Sequence, residues 1–206
     1  HHLYDWEQDH ILEILAACKR AGNPDLAYKF ASTSKISFPG SGIAAIAASQ
    51  NNLVDIKKQL CILTIGHDKV NQLRHVRFFG GIHGMMVHMR YQADILRPKF
   101  EAVDEILKRE LDGLGIGTWT TPRGGYFMSF DSLEGCAKKI VSRCKKAGLI
   151  MTKAGATFPY GKDPQDCNIR IAPSYPPLDD LRLAMELFAL CVKLTSVDKI
   201  LMEMEG

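Results

Sequence analysis

The sequence predicts an α/β fold whose last part is a compact α+β unit. Three observations lead to this fold class. Strand-like and helix-like segments alternate in the first part, one long helical run follows from Gly84 to Leu111, and a new pattern begins after Gly113. That new pattern is strand, helix, two strands and helix. The sequence is thus expected to place two differently organised parts on either side of one linking helix.

The first part begins with a helical pattern, DHILEILAACKRA (9–21), which Gly22-Asn23-Pro24 is expected to end. LAYKFAS (26–32) is predicted to be a short buried strand. GIAAIAAS (42–49) is a second small-residue strand or a tightly packed segment. Asn51 and Asn52 then precede LVDIKKQLCILTI (53–65), whose apolar spacing predicts a helix. This order is typical of an alternating α/β fold.

The linking helix repeats apolar residues every three or four positions, and Pro98 is expected to bend it because proline lacks a backbone donor. The elements predicted after it are a strand GGYFMSFD (124–131), a helix EGCAKKIVSRCKKAG (134–148), strands LIMTKA (149–154) and NIRIAP (168–173), and a helix LDDLRLAMELFALCVKL (178–194). Two helices and three strands of this length make one small α+β domain.

The composition favours a globular protein with a small-molecule partner. The chain has 26 Lys+Arg against 23 Asp+Glu, a formal net charge of +3, which is too even to indicate nucleic-acid or membrane binding. The hydrophobic share is 46%, and no apolar run approaches the roughly 18 residues of a membrane span. The opening residues, HHLYDWEQDH, show no signal-peptide pattern.

The cysteine pattern indicates a reducing compartment. The six cysteines have irregular spacing and no CxxC pair; they are Cys18, Cys61, Cys136, Cys144, Cys167 and Cys191. We therefore expect neither a disulfide framework nor a zinc or other metal site, and we expect a cytoplasmic location. Cys18, Cys144 and Cys191 fall within helical apolar patterns and are predicted to be small core residues.

The segment FASTSKISFPGSG (30–42) contains the best candidate for chemistry, Lys35. Ser32 and Lys35 match the S-x-x-K signature of serine acyl-enzymes, but that signature requires a helix, and Pro39 with the preceding strand argues against one. GSGIAA (40–45) loosely matches a dinucleotide fingerprint, although its glycines do not follow directly on a strand. A third interpretation is a reactive lysine, whose amine attacks a carbonyl cofactor while neighbouring hydroxyls bind a phosphate.

The third interpretation gains support from a family resemblance. STSKISFPGSGIAAIAAS resembles the lysine segment of fold-type-I pyridoxal-phosphate (PLP) aminotransferases, PRGGYFMSF resembles a strand of their small domain, and GATFPYGKDPQDCNIRIAPS resembles their substrate-carboxylate segment. With HHLYD and NQLRHVRFF, the chain is most similar to the aspartate aminotransferase branch related to the MocR-type group. The resemblance implies the C-terminal part of the PLP-dependent transferase fold. Its parts would be the end of the PLP-binding large domain (1–80), a linking helix (81–112) and an α+β small domain (113–206).

The resemblance also implies roles for individual residues. Lys35 would form the Schiff base with PLP and move the proton between the substrate Cα and the cofactor. Ser32 and Ser34 would contact the cofactor, with Ser32 on its phosphate. Arg170 would bind the substrate α-carboxylate through a two-pronged guanidinium contact. Gly42 stands where many relatives have a phosphate-binding arginine, so backbone amides of the turn or another basic residue would replace it.

A basic segment after Gly66 carries two further candidates, Asn71 and Arg74. In the family this region approaches the active site of the partner subunit, so either residue would touch substrate or cofactor across a homodimer interface. Arg74 and Lys69 are candidates for binding the second carboxylate of a dicarboxylic substrate. The alternative interpretation is a solvated basic helix face.

The expected function is that of a PLP-dependent aminotransferase, which transfers an amino group from an amino acid, aspartate first, to a 2-oxo acid. In the family the partner of the pyridine nitrogen and the stacking aromatic ring precede the lysine, and only 34 residues do so here. The chain is therefore expected to be a C-terminal portion that is inactive in isolation. Two alternatives remain: a MocR-like transcriptional regulator that uses the fold as a ligand sensor, and a noncatalytic dimerisation domain.

Overall fold

The computed structural model describes residues 11–205, which divide into two units between Gln92 and Ala93. The helices are α1 (Ile14–Arg20), α2 (Gln50–Leu63), α3 (Lys69–Phe79), α4 (Ile82–Leu111), α5 (Ala137–Lys146) and α6 (Leu178–Glu205). The strands are β1 (Tyr28–Ser32), β2 (Ala44–Ala48), β3 (Gly117–Trp119), β4 (Met128–Ser132) and β5 (Asn168–Ile171). Short 3-10 turns cover Pro24–Leu26 and Pro159–Gly161. The division falls inside α4, so each unit contains part of this helix.

The first unit contains a two-stranded antiparallel sheet. β1 and β2 pair from Tyr28 opposite Ala48 to Ser32 opposite Ala44. Both strands were predicted, but the expectation that β1 is buried is wrong, because all five of its residues are exposed and Phe30 is 75% exposed. A sheet of two strands provides few neighbours, and no layer of the described chain buries this one.

The helices of the first unit begin where side-chain oxygens accept backbone N–H groups. Ser49 caps α2, so this helix begins at Gln50 rather than after the two predicted asparagines. Asp68 caps α3 in the same way. For α1, Glu13 accepts from the Ala16 amide, while the predicted start at Asp9 lies outside the described residues. The helix ends before Gly22, as predicted.

The second unit is built around a three-stranded antiparallel sheet in the order β3-β4-β5. The C-terminal part of α4, together with α5 and α6, contributes most of the remaining core residues, which include Ile106, Ile140 and Phe188. Phe130 of β4 is fully buried and meets Phe188 edge-on, with 5.1 Å between ring centroids. The core of this unit is therefore closed by its own elements.

Three details of the second unit differ from the sequence prediction. LIMTKA is not a strand, because Leu149 turns back at the end of α5 and donates its N–H to the Cys144 carbonyl. The short strand β3 was not predicted, since three residues give too little alternation to recognise. α6 continues to Glu205, well beyond the predicted end at Leu194.

Candidate active site around Lys35

Lys35 lies on a tight turn that directly follows β1. The Thr33 N–H donates to the Ile43 carbonyl over 2.9 Å and extends the β1–β2 pairing by one residue. The Thr33 carbonyl then accepts from Ile36 and Ser37 over 2.8 and 2.9 Å, which closes the turn around an exposed Lys35. The acyl-enzyme signature requires a helix at Lys35, but this turn is not a helix. The dinucleotide fingerprint requires a helix after its glycines, but residues 44–48 form a strand.

Two serine hydroxyls lie beside the lysine turn. The Oγ atoms of Ser32 and Ser34 are 2.5 Å apart, and the Ser34 N–H donates to Ser32 Oγ over 3.0 Å. Both residues are exposed. The segment thus presents two exposed hydroxyl residues, one directly before Lys35 and one three residues before it.

Gly42 packs so closely on Ser34 that a side chain at this position would require Ser34 to move. A Cβ atom at Gly42 would lie 2.9 Å from Ser34 Oγ and 3.0 Å from both Ser34 Cα and Ser34 N. An arginine here would therefore require Ser34 to shift. The Ser41 N–H donates to the Phe38 carbonyl over 3.0 Å, and which group takes the place of that arginine stays a prediction.

Hydrogen bonds from α4 and α3 hold the residues that follow Lys35. The Ile36 carbonyl accepts from His88 Nε2 over 2.7 Å and from Gln92 Nε2 over 2.8 Å. The Asn71 side-chain amide donates to the Ser41 carbonyl over 2.8 Å. Two backbone carbonyls of the loop are thus fixed by side chains from two different helices.

His75 is the central buried group of the loop's support. It is only 2% exposed, and its Nε2 lies 2.7 Å from Ser37 Oγ and 3.2 Å from Thr33 Oγ1. Its other ring nitrogen, Nδ1, lies 2.8 Å from the Asn71 carbonyl oxygen. Phe38 packs edge-on against the imidazole, with 5.3 Å between ring centroids. His75 therefore connects α3 to both ends of the Lys35 turn.

The structure places Asn71 and Arg74 in the same unit as Lys35, beside the loop. Asn71 Oδ1 is buried and has no hydrogen-bond partner among the described residues. The Arg74 guanidinium carbon lies 6.0 Å from the Phe38 ring centroid, and both Arg74 and Lys69 are exposed. Any contact of these residues with substrate stays a prediction.

Arg170 lies in the second unit, on β5 opposite Ser129. Its guanidinium carbon lies 4.4 Å from the Phe127 ring centroid, within cation–π distance. Its Nε atom is buried and has no hydrogen-bond partner among the described residues. Arg170 also lines a cavity of about 380 Å³, together with Met151 and Tyr175. The side chain is thus partly enclosed and keeps an unused donor.

A buried carboxylate organises the segment that leads into β5. Asp163 accepts backbone N–H groups from Gln165, Cys167 and Asn168 over 3.1, 2.8 and 2.8 Å. Burial alone would raise the pKa of the Asp163 carboxyl, but these donors outweigh burial and hold the pKa below its ordinary value. The Asn168 side chain then bonds Ser129 Oγ over 2.8 Å. This network fixes the chain just before Arg170.

The importance of His75, His88 and Asp163 was not predicted from the sequence. His75 belongs to the basic segment after Gly66, for which a solvated helix face was one interpretation, yet it is the buried residue of α3. The sequence does contain an indication that this face of α3 is buried, because Asn71, His75 and Phe79 are spaced by four residues and lie on one helix face. For Asp163 no such signal exists, because its three partners are backbone groups of an irregular loop.

Two absences hold for residues 11–205. No helix in this range is both long and apolar enough to cross a membrane. In the same range, no cluster of three or more His, Cys, Asp or Glu residues is arranged to hold a metal ion. All six cysteines are free thiols, and Cys18, Cys144 and Cys191 are buried, as predicted.

Comparisons with known proteins show which proteins this chain resembles. A Mycolicibacterium smegmatis protein, named as a candidate aminotransferase, is 45% identical over 190 residues, which are 92% of this chain and 44% of that protein. The crystal structure of an aspartate transaminase from Corynebacterium glutamicum has a TM-score of 0.91 and 39% identity, covering 96% of this chain and 47% of that one. LysN, an alpha-aminoadipate aminotransferase from Thermus thermophilus solved with N-(5'-phosphopyridoxyl)-L-leucine, has a TM-score of 0.76 at 17% identity, covering 95% of this chain and 48% of that one.

The chain spans less than half the length of these relatives. The distant likeness to LysN concerns the fold alone. The family model for aspartate amino-transferase matches residues 1–204. Because this match extends over nearly the whole sequence, the chain belongs to the aspartate amino-transferase family.

Proposed function

We propose that this chain is part of a PLP-dependent aminotransferase that moves an amino group from an amino acid, aspartate first, to a 2-oxo acid. The observation that carries the proposal is the Lys35 turn. The residue is exposed, two hydroxyl residues lie close to it in the chain, and hydrogen bonds from α3 and α4 hold the loop around it. This support keeps the loop around the lysine in one conformation.

The residues present fit PLP at two of its groups. Lys35 offers the amine for the cofactor aldehyde, and Ser32 and Ser34 offer hydroxyl donors suited to a phosphate. Gly42 fits as well, because the absence of a Cβ lets the turn pack closely on Ser34. When bound, PLP supplies an electron sink that stabilises negative charge at the substrate Cα.

Different residues of the chain would carry out proton transfer and substrate binding. Lys35 Nζ, once neutral, would take the proton from the substrate Cα and pass it to the cofactor, which requires that its turn hold the amine in a fixed place. Arg170 binds the substrate α-carboxylate with two N–H groups. In support, its buried Nε still lacks a partner among the described residues. For aspartate, we propose Arg74 as the group that meets the second carboxylate.

The proposal also includes a homodimer and a cytoplasmic location. Asn71 and Arg74 lie on α3 beside the lysine loop, from where the family would bring such residues toward a partner subunit. Six free thiols suit a reducing compartment. Because the relatives are about twice as long, we expect the isolated 206-residue chain to lack turnover.

The test uses the full-length protein that carries this chain. It is incubated with PLP, reduced with borohydride and digested, and the modified lysine is located by peptide mass. We expect one adduct, on Lys35. Lys35→Ala should lose the adduct and at least about 10³-fold in kcat, while the exposed control Lys153→Ala should keep both. An adduct on Lys153 or another lysine in the wild type would overturn the proposal.

Arg170→Lys tests the substrate side of the proposal in the same protein. The lost two-pronged contact should lower kcat/KM for the amino donor by about 10²-fold, with little change in PLP binding. Arg74→Ala should weaken aspartate more than alanine as donor, because alanine has no second carboxylate. An equal effect on both donors would remove Arg74 from that role.

A further inference from the structure

The turn that carries Lys35 is bracketed by two hydroxyls that meet at one buried nitrogen. Thr33 precedes the lysine by two residues and Ser37 follows it by two. Their Oγ atoms lie 3.2 and 2.7 Å from His75 Nε2, and they are 3.0 Å from each other. A single imidazole therefore contacts both ends of the turn while the lysine between them stays exposed.

The direction of one hydrogen bond in this network is fixed, because one partner is a backbone carbonyl. The Asn71 carbonyl can only accept, so His75 Nδ1 carries a proton and donates it. An unprotonated Nε2 accepts, and the Ser37 hydroxyl at 2.7 Å is the nearest group that can donate to it; the other acceptors within reach of that hydroxyl are the Thr33 carbonyl and Thr33 Oγ1, at 3.2 and 3.0 Å. Thr33 Oγ1 in turn accepts the Ile43 N–H over 2.9 Å. The bonds connect the start of β2, the lysine turn and α3.

Core packing alone does not account for these contacts. The aromatic neighbours of His75 are Phe38 and Phe79, with ring centroids 5.3 and 6.2 Å away, and a nonpolar side chain would serve them equally. With such a side chain, however, the part-buried Ser37 hydroxyl would lose its shortest contact and its link to α3, and it would keep only the longer contacts within the turn, to the Thr33 carbonyl and Thr33 Oγ1 over 3.2 and 3.0 Å. The polar contacts thus act on the turn rather than on the core.

We propose that His75 is a positioning residue, which acts through Ser37 and Thr33 to hold the Lys35 amine in its reactive place. The proposal rests on the proposed function of Lys35. His75 itself touches neither substrate nor cofactor in this account. Its role is to restrict the turn, so its loss should slow every reaction of the Lys35 amine without removing the amine.

The experiment compares two substitutions in the full-length protein. His75→Leu removes the acceptor, whereas His75→Gln offers an amide oxygen close to the position of Nε2. The first readout is the rate at which added PLP forms the borohydride-trapped adduct on Lys35, followed by absorbance and located by peptide mass. We expect His75→Leu to slow this rate about tenfold or more, and His75→Gln to recover most of it.

Two controls separate positioning from stability. Ser49→Ala removes the helix cap of α2 in the same unit without touching the lysine turn, and it should lower the thermal midpoint while leaving the adduct rate unchanged. Ser37→Ala should slow the adduct, and adding it to His75→Leu should produce little further slowing, because both remove the same contact.

The outcomes distinguish the two proposals. If the wild-type adduct forms on a lysine other than Lys35, the proposed function fails and the role of His75 fails with it. If the adduct is on Lys35 but His75→Leu forms it at the wild-type rate, only the positioning role is refuted. A slow adduct in His75→Leu that Gln does not restore, and that Ser49→Ala shares, would assign His75 to general stability and overturn the inference.

Discussion

The two units of the chain bury very different amounts of apolar surface. The second unit encloses a continuous core in which residues such as Phe130 and Phe188 are inaccessible to solvent. Among the described residues of the first unit, only Cys18, Ile36 and His75 are buried. Each unit has helices and a sheet, so secondary structure alone does not explain the difference.

The difference shows that the two units are ordered by different forces. In the second unit apolar burial is large, and it is the dominant favourable contribution to folding. In the first unit the lysine loop is held by side-chain hydrogen bonds, each of which contributes only about 1 kcal/mol net. Phe30 and other large apolar side chains remain exposed there. The candidate catalytic lysine therefore lies in the unit with the weaker core.

The largest expected effect of this difference is on independent folding. A fragment of residues 82–205 should unfold in one cooperative transition, because it keeps all of α4 and the whole core. A fragment of residues 11–92 should show no cooperative transition, because it cannot bury enough apolar surface to offset its conformational entropy. Urea titrations followed by far-UV circular dichroism measure both. A cooperative transition in fragment 11–92 would contradict this account of the first unit.

A matched pair of phenylalanines tests the same difference inside the whole chain. Phe130 is 0% exposed and Phe30 is 75% exposed. Phe130→Ala should lower the free energy of unfolding by about 3–5 kcal/mol, since it leaves a cavity beside Phe188. Phe30→Ala should change it by less than about 0.5 kcal/mol. Urea unfolding of the two variants, with wild type as reference, gives both values; similar losses would show that β1 is buried after all.

Much of the fold could be predicted because its elements carry strong periodic signals. α4 and the strands β1, β2, β4 and β5 were all recognised from spacing and turn residues. The burial of β1 was not predicted correctly. An apolar pattern shows that a strand has side chains suited to burial, but it does not show whether another element packs on them. The strand prediction for LIMTKA failed for a similar reason: Leu149, Met151 and Ala154 pack on the core, while the backbone of this segment joins no strand.

The candidate site was only partly visible in the sequence. Lys35, Ser32 and Arg170 stood out because their local motifs are short and contiguous. His75 lies 40 residues after Lys35 along the chain, and only folding brings it to the lysine turn. The explanation for Gly42 is likewise spatial, since it depends on the approach of Ser34 across the loop. Sequence reasoning thus identified candidate reactive groups but not the residues that support them.

The smallest of the expected effects concerns a polar support inside the well-packed unit. Asp163 is 8% exposed and accepts three backbone N–H groups in the loop before Arg170. Asp163→Asn should lower the free energy of unfolding at neutral pH by about 2 kcal/mol, because a neutral amide replaces a charged acceptor. This is less than the loss expected for Phe130→Ala, although both residues are buried. Urea unfolding at pH 7 measures it, with the exposed Asp179→Asn as a control expected to stay near wild type.

The pH dependence of the same pair isolates the charge of Asp163. Its pKa in the folded state is held below the ordinary carboxyl value, so the unfolded state binds more protons as pH falls through that range. The stabilisation is therefore complete above the unfolded-state pKa, and it is lost as pH falls through the lowered folded-state pKa. In Asp163→Asn this contribution is absent at every pH, so the difference in unfolding free energy between wild type and variant should shrink on acidification. A difference that stays constant from neutral to acidic pH would show that the loop depends on the shape of Asp163 and not on its charge.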